Sequence, residues 1–173
     1  FSKYCDASIF VSDWTKQYFL DKGWDCDNTS VIYNGVDKDV FKPREKMNNK
    51  TIDIVTHHWS NNKGKGFDIY EKIDQFVKEN PDFTFTYIGQ HRGTFRNTNC
   101  VSPIFGKELG RELSKYDIYI SASEYENCPN HILESLACGI PTFSLAGFRG
   151  AASVDLVGKD FCYENWEDLK KTK

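Results

Sequence analysis

Ser121-Ala122-Ser123-Glu124-Tyr125-Glu126-Asn127-Cys128-Pro129-Asn130-His131-Ile132-Leu133-Glu134-Ser135-Leu136-Ala137-Cys138-Gly139-Ile140-Pro141 combines the end of a strand, a polar loop and a helix. The apolar residues 118–122 read as the strand. Pro129 suits the first turn of a helix, where the amide it lacks would have no partner. That helix covers residues 130–138 and stops at Gly139, after which residues 140–144 read as another strand. The strand delivers Glu126 into a loop, and Glu134 falls about one turn inside the helix, so both carboxylates can face one hollow. Unpaired backbone N–H groups at the helix start offer a place for a phosphate or a sugar hydroxyl.

The same alternation extends in both directions. Residues 6–12 read as a strand and 13–22 as a helix opened by Ser12 or Asp13 and closed by Gly23. Residues 30–33 read as a short strand stopped by the Asn34-Gly35 turn. Residues 36–50, with Pro43, two asparagines and five lysines or arginines, have the composition of a linker. A strand over 51–56 leads into a loop rich in His, Asn and Gly. A helix over 66–79 follows, where Phe67, Tyr70, Ile73, Phe76 and Val77 recur at helical spacing. Residues 83–88 form a near-continuous apolar strand ended by Gly89, residues 90–103 read as irregular, and 107–115 as a helix. Strands buried on both faces and separated by helices predict a Rossmann-like, doubly wound parallel α/β sheet. Its ligand is expected beyond the carboxyl ends of the strands.

Composition narrows the function. With 22 basic and 25 acidic residues scattered along 173 positions, the chain has a net charge of −3 and no basic stripe of the kind nucleic acids require. No apolar run is long enough to span a bilayer. The six cysteines lack metal-ligand spacing, which points to reduced thiols in the cytoplasm and to no metal site. The chain opens at Phe1 without a methionine and enters a strand-like segment at once, so we expect a piece of a longer protein. Peripheral membrane association through regions outside this sequence remains compatible with it. Aromatic residues make up 15% of the chain, mostly at core-like spacing.

Glu126 and Glu134, eight positions apart, with Ser-Leu-Ala-Cys-Gly-Ile-Pro directly after Glu134, resemble the Glu-x7-Glu signature of retaining GT-B glycosyltransferases, above all family 4. The resemblance covers nearly the whole chain but only the second half of such an enzyme. It implies the C-terminal, donor-binding domain over residues 46–173. Residues 1–45 would be the closing β/α unit of the N-terminal domain plus the interdomain linker. Val31-Ile32-Tyr33-Asn34-Gly35-Val36-Asp37, followed by Phe41-Lys42-Pro43, resembles the family's interdomain crossover.

By the same resemblance, Glu134 would hydrogen-bond the ribose hydroxyls of the nucleotide. Glu126, with Asn127, Cys128, Pro129 and Asn130 after it, would hold the donor sugar. In Thr56-His57-His58-Trp59-Ser60-Asn61-Asn62-Lys63-Gly64-Lys65-Gly66-Phe67, Lys65-Gly66 matches the family's Lys-Gly pair, and Lys65 would stabilise the departing diphosphate. The arginine that accompanies this lysine in the family is missing, since Trp59 and Ser60 stand in its place. His57, His58 or Lys63 are the candidates to replace it. Gly89 and Gly147 would bring backbone close to the donor, and Arg149 would meet a phosphate, the acceptor or only solvent. The family's acid after this loop is replaced by Ser153, with Asp155 close by.

The resemblance thus implies retaining transfer of a hexose-type sugar from a UDP- or GDP-sugar to a saccharide or lipid-linked acceptor. No cofactor or metal is implied, and the acceptor would be bound by a domain this sequence lacks. A nucleotide-sugar-binding module without catalysis, acting through a partner, and a GT-B sugar-nucleotide epimerase are the alternatives.

Overall fold

The computed structural model describes residues 2–46, 50–146 and 151–171, so Gly147 and Arg149 lie outside the described residues. Among the described residues there are eight strands: β1 (Ser8–Phe10), β2 (Thr29–Val31), β3 (Ile52–His58), β4 (Phe83–Gly89), β5 (Asn99–Val101), β6 (Ile118–Ser121), β7 (Thr142–Leu145) and β8 (Cys162–Tyr163). The six α-helices are α1 (Asp13–Asp21), α2 (Phe67–Glu79), α3 (Gly106–Leu113), α4 (Asn130–Ala137), α5 (Ala151–Val157) and α6 (Trp166–Leu169). Strands β3 to β8 form one parallel sheet in the order β5-β4-β3-β6-β7-β8. Counted from β3 this is 3-2-1-4-5-6, the doubly wound order whose direction reverses between its first and fourth strands, here β3 and β6. The carboxyl ends of β3 and β6 therefore border a crevice.

Period-two alternation supplies a core on each face of this sheet. Ile54 of β3, Phe85 and Tyr87 of β4 and Ile120 of β6 pack with Ile69, Tyr70, Ile73 and Val77 of α2. Val55, Ile88 and Tyr119 face the other way, onto Leu109 and Leu113 of α3 and onto Cys138 and Ile140. Burial of each aliphatic side chain such as Ile73 or Val55 contributes about 1.5–3 kcal/mol. With both faces covered, the last five residues of β3 and of β4 are all buried, polar ones included.

Among the described residues, strands β1 and β2 pair only with each other, in a separate parallel two-stranded sheet. Helix α1 is capped by Ser12, whose Oγ accepts from the Thr15 amide at 3.0 Å.

Three features depart from the sequence expectations. The stretch read as a linker is docked: Phe41 is buried among Val55, Leu109 and Tyr119, and Val40 packs beside it. Three apolar residues in a polar stretch, Val36, Val40 and Phe41, outweigh its composition here. Second, β5 lies inside the stretch read as irregular. It is three residues long and paired on Thr86, Tyr87 and Ile88, too short to register as a period. Third, α5, β8 and α6 complete the sheet beyond the last expected strand.

Candidate functional site

The two crevice loops are held together by backbone contacts that a side chain would prevent. Gly66 ends the short 3-10 turn Lys63–Lys65 in the left-handed region, at φ 74°, and opens α2. A Cβ there would lie 2.0 Å from the carbonyl oxygen of Ala122, just past β6. The Glu124 amide also donates to the Gly64 carbonyl at 2.8 Å. Lys65 is thereby pressed against the loop after β6, and its Nζ donates to Glu126 Oε1 at 2.7 Å. Gly89, at φ 125°, lets the end of β4 approach β3, since a Cβ there would meet the His58 carbonyl oxygen at 2.0 Å.

The second acid is met from β3. Glu134 Oε2 lies 2.8 Å from His57 Nε2, with the histidine ring buried and about a fifth of the Glu134 side chain exposed. The two carboxylates share one side of the domain and are bridged by histidines. His131 Nδ1 lies 4.0 Å from Glu126 Oε1, and the His131 and His57 rings stand edge to face at 6.1 Å. His131 Nε2 is 2.9 Å from Ser121 Oγ. The Lys65 pair borders an open cleft lined by Ser60, Asn62, Lys63, Gly64, Lys65, Glu124 and Tyr125. The Glu134 pair borders a smaller one through His57, next to His58, Trp59, Gly89 and Phe105. Trp59 and Phe105 stack with ring centroids 4.0 Å apart over that smaller cleft.

His58 turns the opposite way from its neighbour. Its Nε2 lies 2.7 Å from Tyr70 Oη, which already accepts from the Ala122 amide at 2.9 Å and from Thr56 Oγ1 at 3.1 Å. The tyrosine proton is therefore directed at His58, which acts as the acceptor. Burial, then the charges of Lys65 and His57, holds the His58 imidazole well below its ordinary pKa. Burial likewise lowers His131, followed by His58, His57 and Lys65. Both rings are neutral at pH 7. A neutral, buried His58 is a poor substitute for a phosphate-binding arginine, and its side chain belongs to the core under α2. Lys63 is exposed at the cleft mouth.

The loop between the two glutamates is tied to the amino-terminal segment. Asn34 Nδ2 donates to the Cys128 carbonyl at 3.1 Å and to Asn130 Oδ1 at 2.9 Å, its amide meets Cys128 Sγ at 3.4 Å, and Thr15 Oγ1 donates to the Asn127 carbonyl at 3.3 Å. Asn127 and Asn130 are exposed, while Cys128 and Pro129 are buried. Pro129 sits at the N-cap of α4, directly before the helix, and among the described residues no side chain caps it. Amides in its first turn therefore stay available.

Sequence reasoning named both glutamates and Lys65 but did not single out His57 as the partner of Glu134. The signal was present in strand alternation, because adjacent His57 and His58 on β3 must point to opposite faces. Among the described residues no group of three or more His, Cys, Asp or Glu side chains is placed to hold a metal ion, and no helix is long and apolar enough to cross a membrane.

No protein-family model and no curated protein sequence matches the chain. Solved structures do. HepE of Anabaena in complex with UDP and glucose superposes with a TM-score of 0.76 at 17% identity, over 97% of this chain and 52% of that one. Sucrose-phosphate synthase of Thermosynechococcus elongatus gives 0.75 at 15% identity, over 97% and 48%. The pneumococcal O-GlcNAc transferase GtfA, in complex with UDP and GlcNAc, gives 0.68 at 16% identity, over 86% and 32%. The chain thus spans about half the length of HepE and of the synthase, or less in GtfA. At these identities the likeness is one of fold, and it agrees with the strand order. This chain therefore contains a Rossmann-like domain with the architecture of half of a GT-B glycosyltransferase.

Proposed function

We propose that the chain is the donor side of a retaining glycosyltransferase. It would bind a UDP- or GDP-sugar for transfer to a saccharide or lipid-linked acceptor held by another domain of the complete protein. One observation carries this reading: the Lys65–Glu126 and His57–Glu134 pairs lie together where the strand order reverses. Lys65 and Glu126 satisfy each other without ligand. A donor would take both, its diphosphate accepting from Lys65 and a sugar hydroxyl donating to Glu126. Lys65 would then offset charge on the departing nucleoside diphosphate. Glu134 would accept from the ribose hydroxyls, and the uncapped start of α4, after Asn127, Cys128 and Pro129, would offer amides to the donor. Lys63 at the cleft mouth and Gly89 at the end of β4 complete the proposed donor surface among the described residues. Anabaena HepE binds UDP-glucose in its crystal, which makes UDP the first base to test.

Trp59 and Ser60, where the family has its arginine, favour a second reading, a module that binds a nucleotide sugar without turning it over. Calorimetric titration with UDP and GDP, then donor hydrolysis with and without Lys65→Ala, separates the two. The glycosyltransferase reading expects binding of one nucleotide, measurable hydrolysis, and a loss of about tenfold or more in both on removal of the lysine. Binding without turnover supports the module. Absence of binding by either nucleotide refutes both readings.

A further inference from the structure

We infer that His57 is the positioning residue of the nucleotide site, orienting Glu134 so that it reads the ribose hydroxyls. The inference rests on the donor-site reading above. The His57 ring is 3% exposed on β3, stands edge-on to Tyr119 at 5.5 Å and to His131 at 6.1 Å, and has its Nε2 on Glu134 Oε2 at 2.8 Å. The main chain is pinned as well, since the His57 amide donates to Tyr119 Oη at 3.2 Å. Nδ1 is buried and, among the described residues, has no hydrogen-bond partner. A proton on Nδ1 would be a buried donor with no acceptor, so the ring gives its N–H through Nε2 to the carboxylate. That bond occupies one carboxylate oxygen and fixes the plane of the group. The other oxygen is left to accept from a ligand hydroxyl. A ring locked on both sides and bonded only toward Glu134 acts through that acid.

The test compares UDP with 2′,3′-dideoxy-UDP by calorimetry. The wild type is expected to prefer UDP by about tenfold or more, because the hydrogen bonds that the ribose hydroxyls donate to the carboxylate are lost with the hydroxyls. Gln places an amide N–H near the position of Nε2, so H57Q keeps the preference. H57L, close in volume but without a donor, loses it, as does E134Q, and the double variant H57L/E134Q loses no more than E134Q alone. A pure packing role predicts the reverse order, with Leu tolerated better than Gln and both nucleotides weakened equally. Should Leu at this buried position prevent folding, H57Q against H57N carries the contrast, since the shorter amide reaches toward the unpartnered Nδ1 position. A preference for UDP that H57L or H57N retains, or losses that add in the double variant, overturns the inference and leaves the donor site standing. A wild type that binds neither UDP nor GDP overturns the donor-site reading and this inference with it.

Discussion

Gly66→Ala is the substitution for which the structure sets the sharpest expectation. Two costs combine. The backbone sits at φ 74° and ψ 41°, where an L side chain costs about 1–2 kcal/mol. The new methyl would lie 2.0 Å from the Ala122 carbonyl oxygen and 2.7 Å from both the carbonyl carbon and Cβ of the buried Ala122, just past β6. Ordinary contact needs well over 3 Å, so the loop before α2 must shift by more than an ångström, at about 1–3 kcal/mol for overpacking. The sum is about 2–5 kcal/mol. Gly23 is the internal control, since its φ is 83° and none of the described residues lies within 4 Å of a Cβ built there. Gly23→Ala should cost only the conformational part, about 1–2 kcal/mol. Urea denaturation of both variants measures the difference. Because the shift moves Lys65 off Glu126, Gly66→Ala should also weaken nucleotide binding while Gly23→Ala leaves it intact. Equal stability losses at the two glycines would refute the close approach of the two loops on which the site is built.

Asp74 on α2 accepts from the Arg96 and Asn97 amides, Asn97 Nδ2 and Thr98 Oγ1, the last at 2.6 Å, and so fastens residues 96–98. Burial pushes its carboxyl pKa up, but these donors outweigh it and the net value is lowered. Its stabilisation is therefore complete above the unfolded carboxyl pKa of about 4 and disappears as pH falls through the lower folded value. Asp74→Asn should cost about 1.5–3 kcal/mol at pH 7, and urea melts should show the gap to wild type narrowing below about pH 4. Asn34→Ala removes two hydrogen bonds to the loop between the glutamates. It should cost about 1–2 kcal/mol and raise amide exchange at Ile132 and Leu133, which donate to the Pro129 carbonyl, as read by hydrogen exchange; unchanged exchange would count against that tie.

Much of the candidate site lies close together in sequence, which is why its residues could be grouped there. Glu126 and Glu134 are joined by a single loop and the helix after it, so local signals, Pro129 before the helix and Gly139 after it, place both acids at one strand end. Lys65-Gly66 was legible for a similar reason, as a glycine marking the boundary of a strongly periodic helix. The docking of Phe41 was hidden because it depends on a groove made by residues far along the chain. The three-residue β5 had no period to show.

The sequence by itself determined the alternation of strands and helices, the two-sided burial of the sheet and the pair of acids beyond one strand. These follow from side-chain periodicity and turn chemistry, which act over a few residues. Only the tertiary structure decided which partner each acid has. Lys65 reaches Glu126 because Gly66 admits the Ala122 carbonyl, and His57 reaches Glu134 because strand order places β3 beside β6. Hydrogen-bond partners 61 and 77 positions apart are set by packing geometry, which no local pattern encodes.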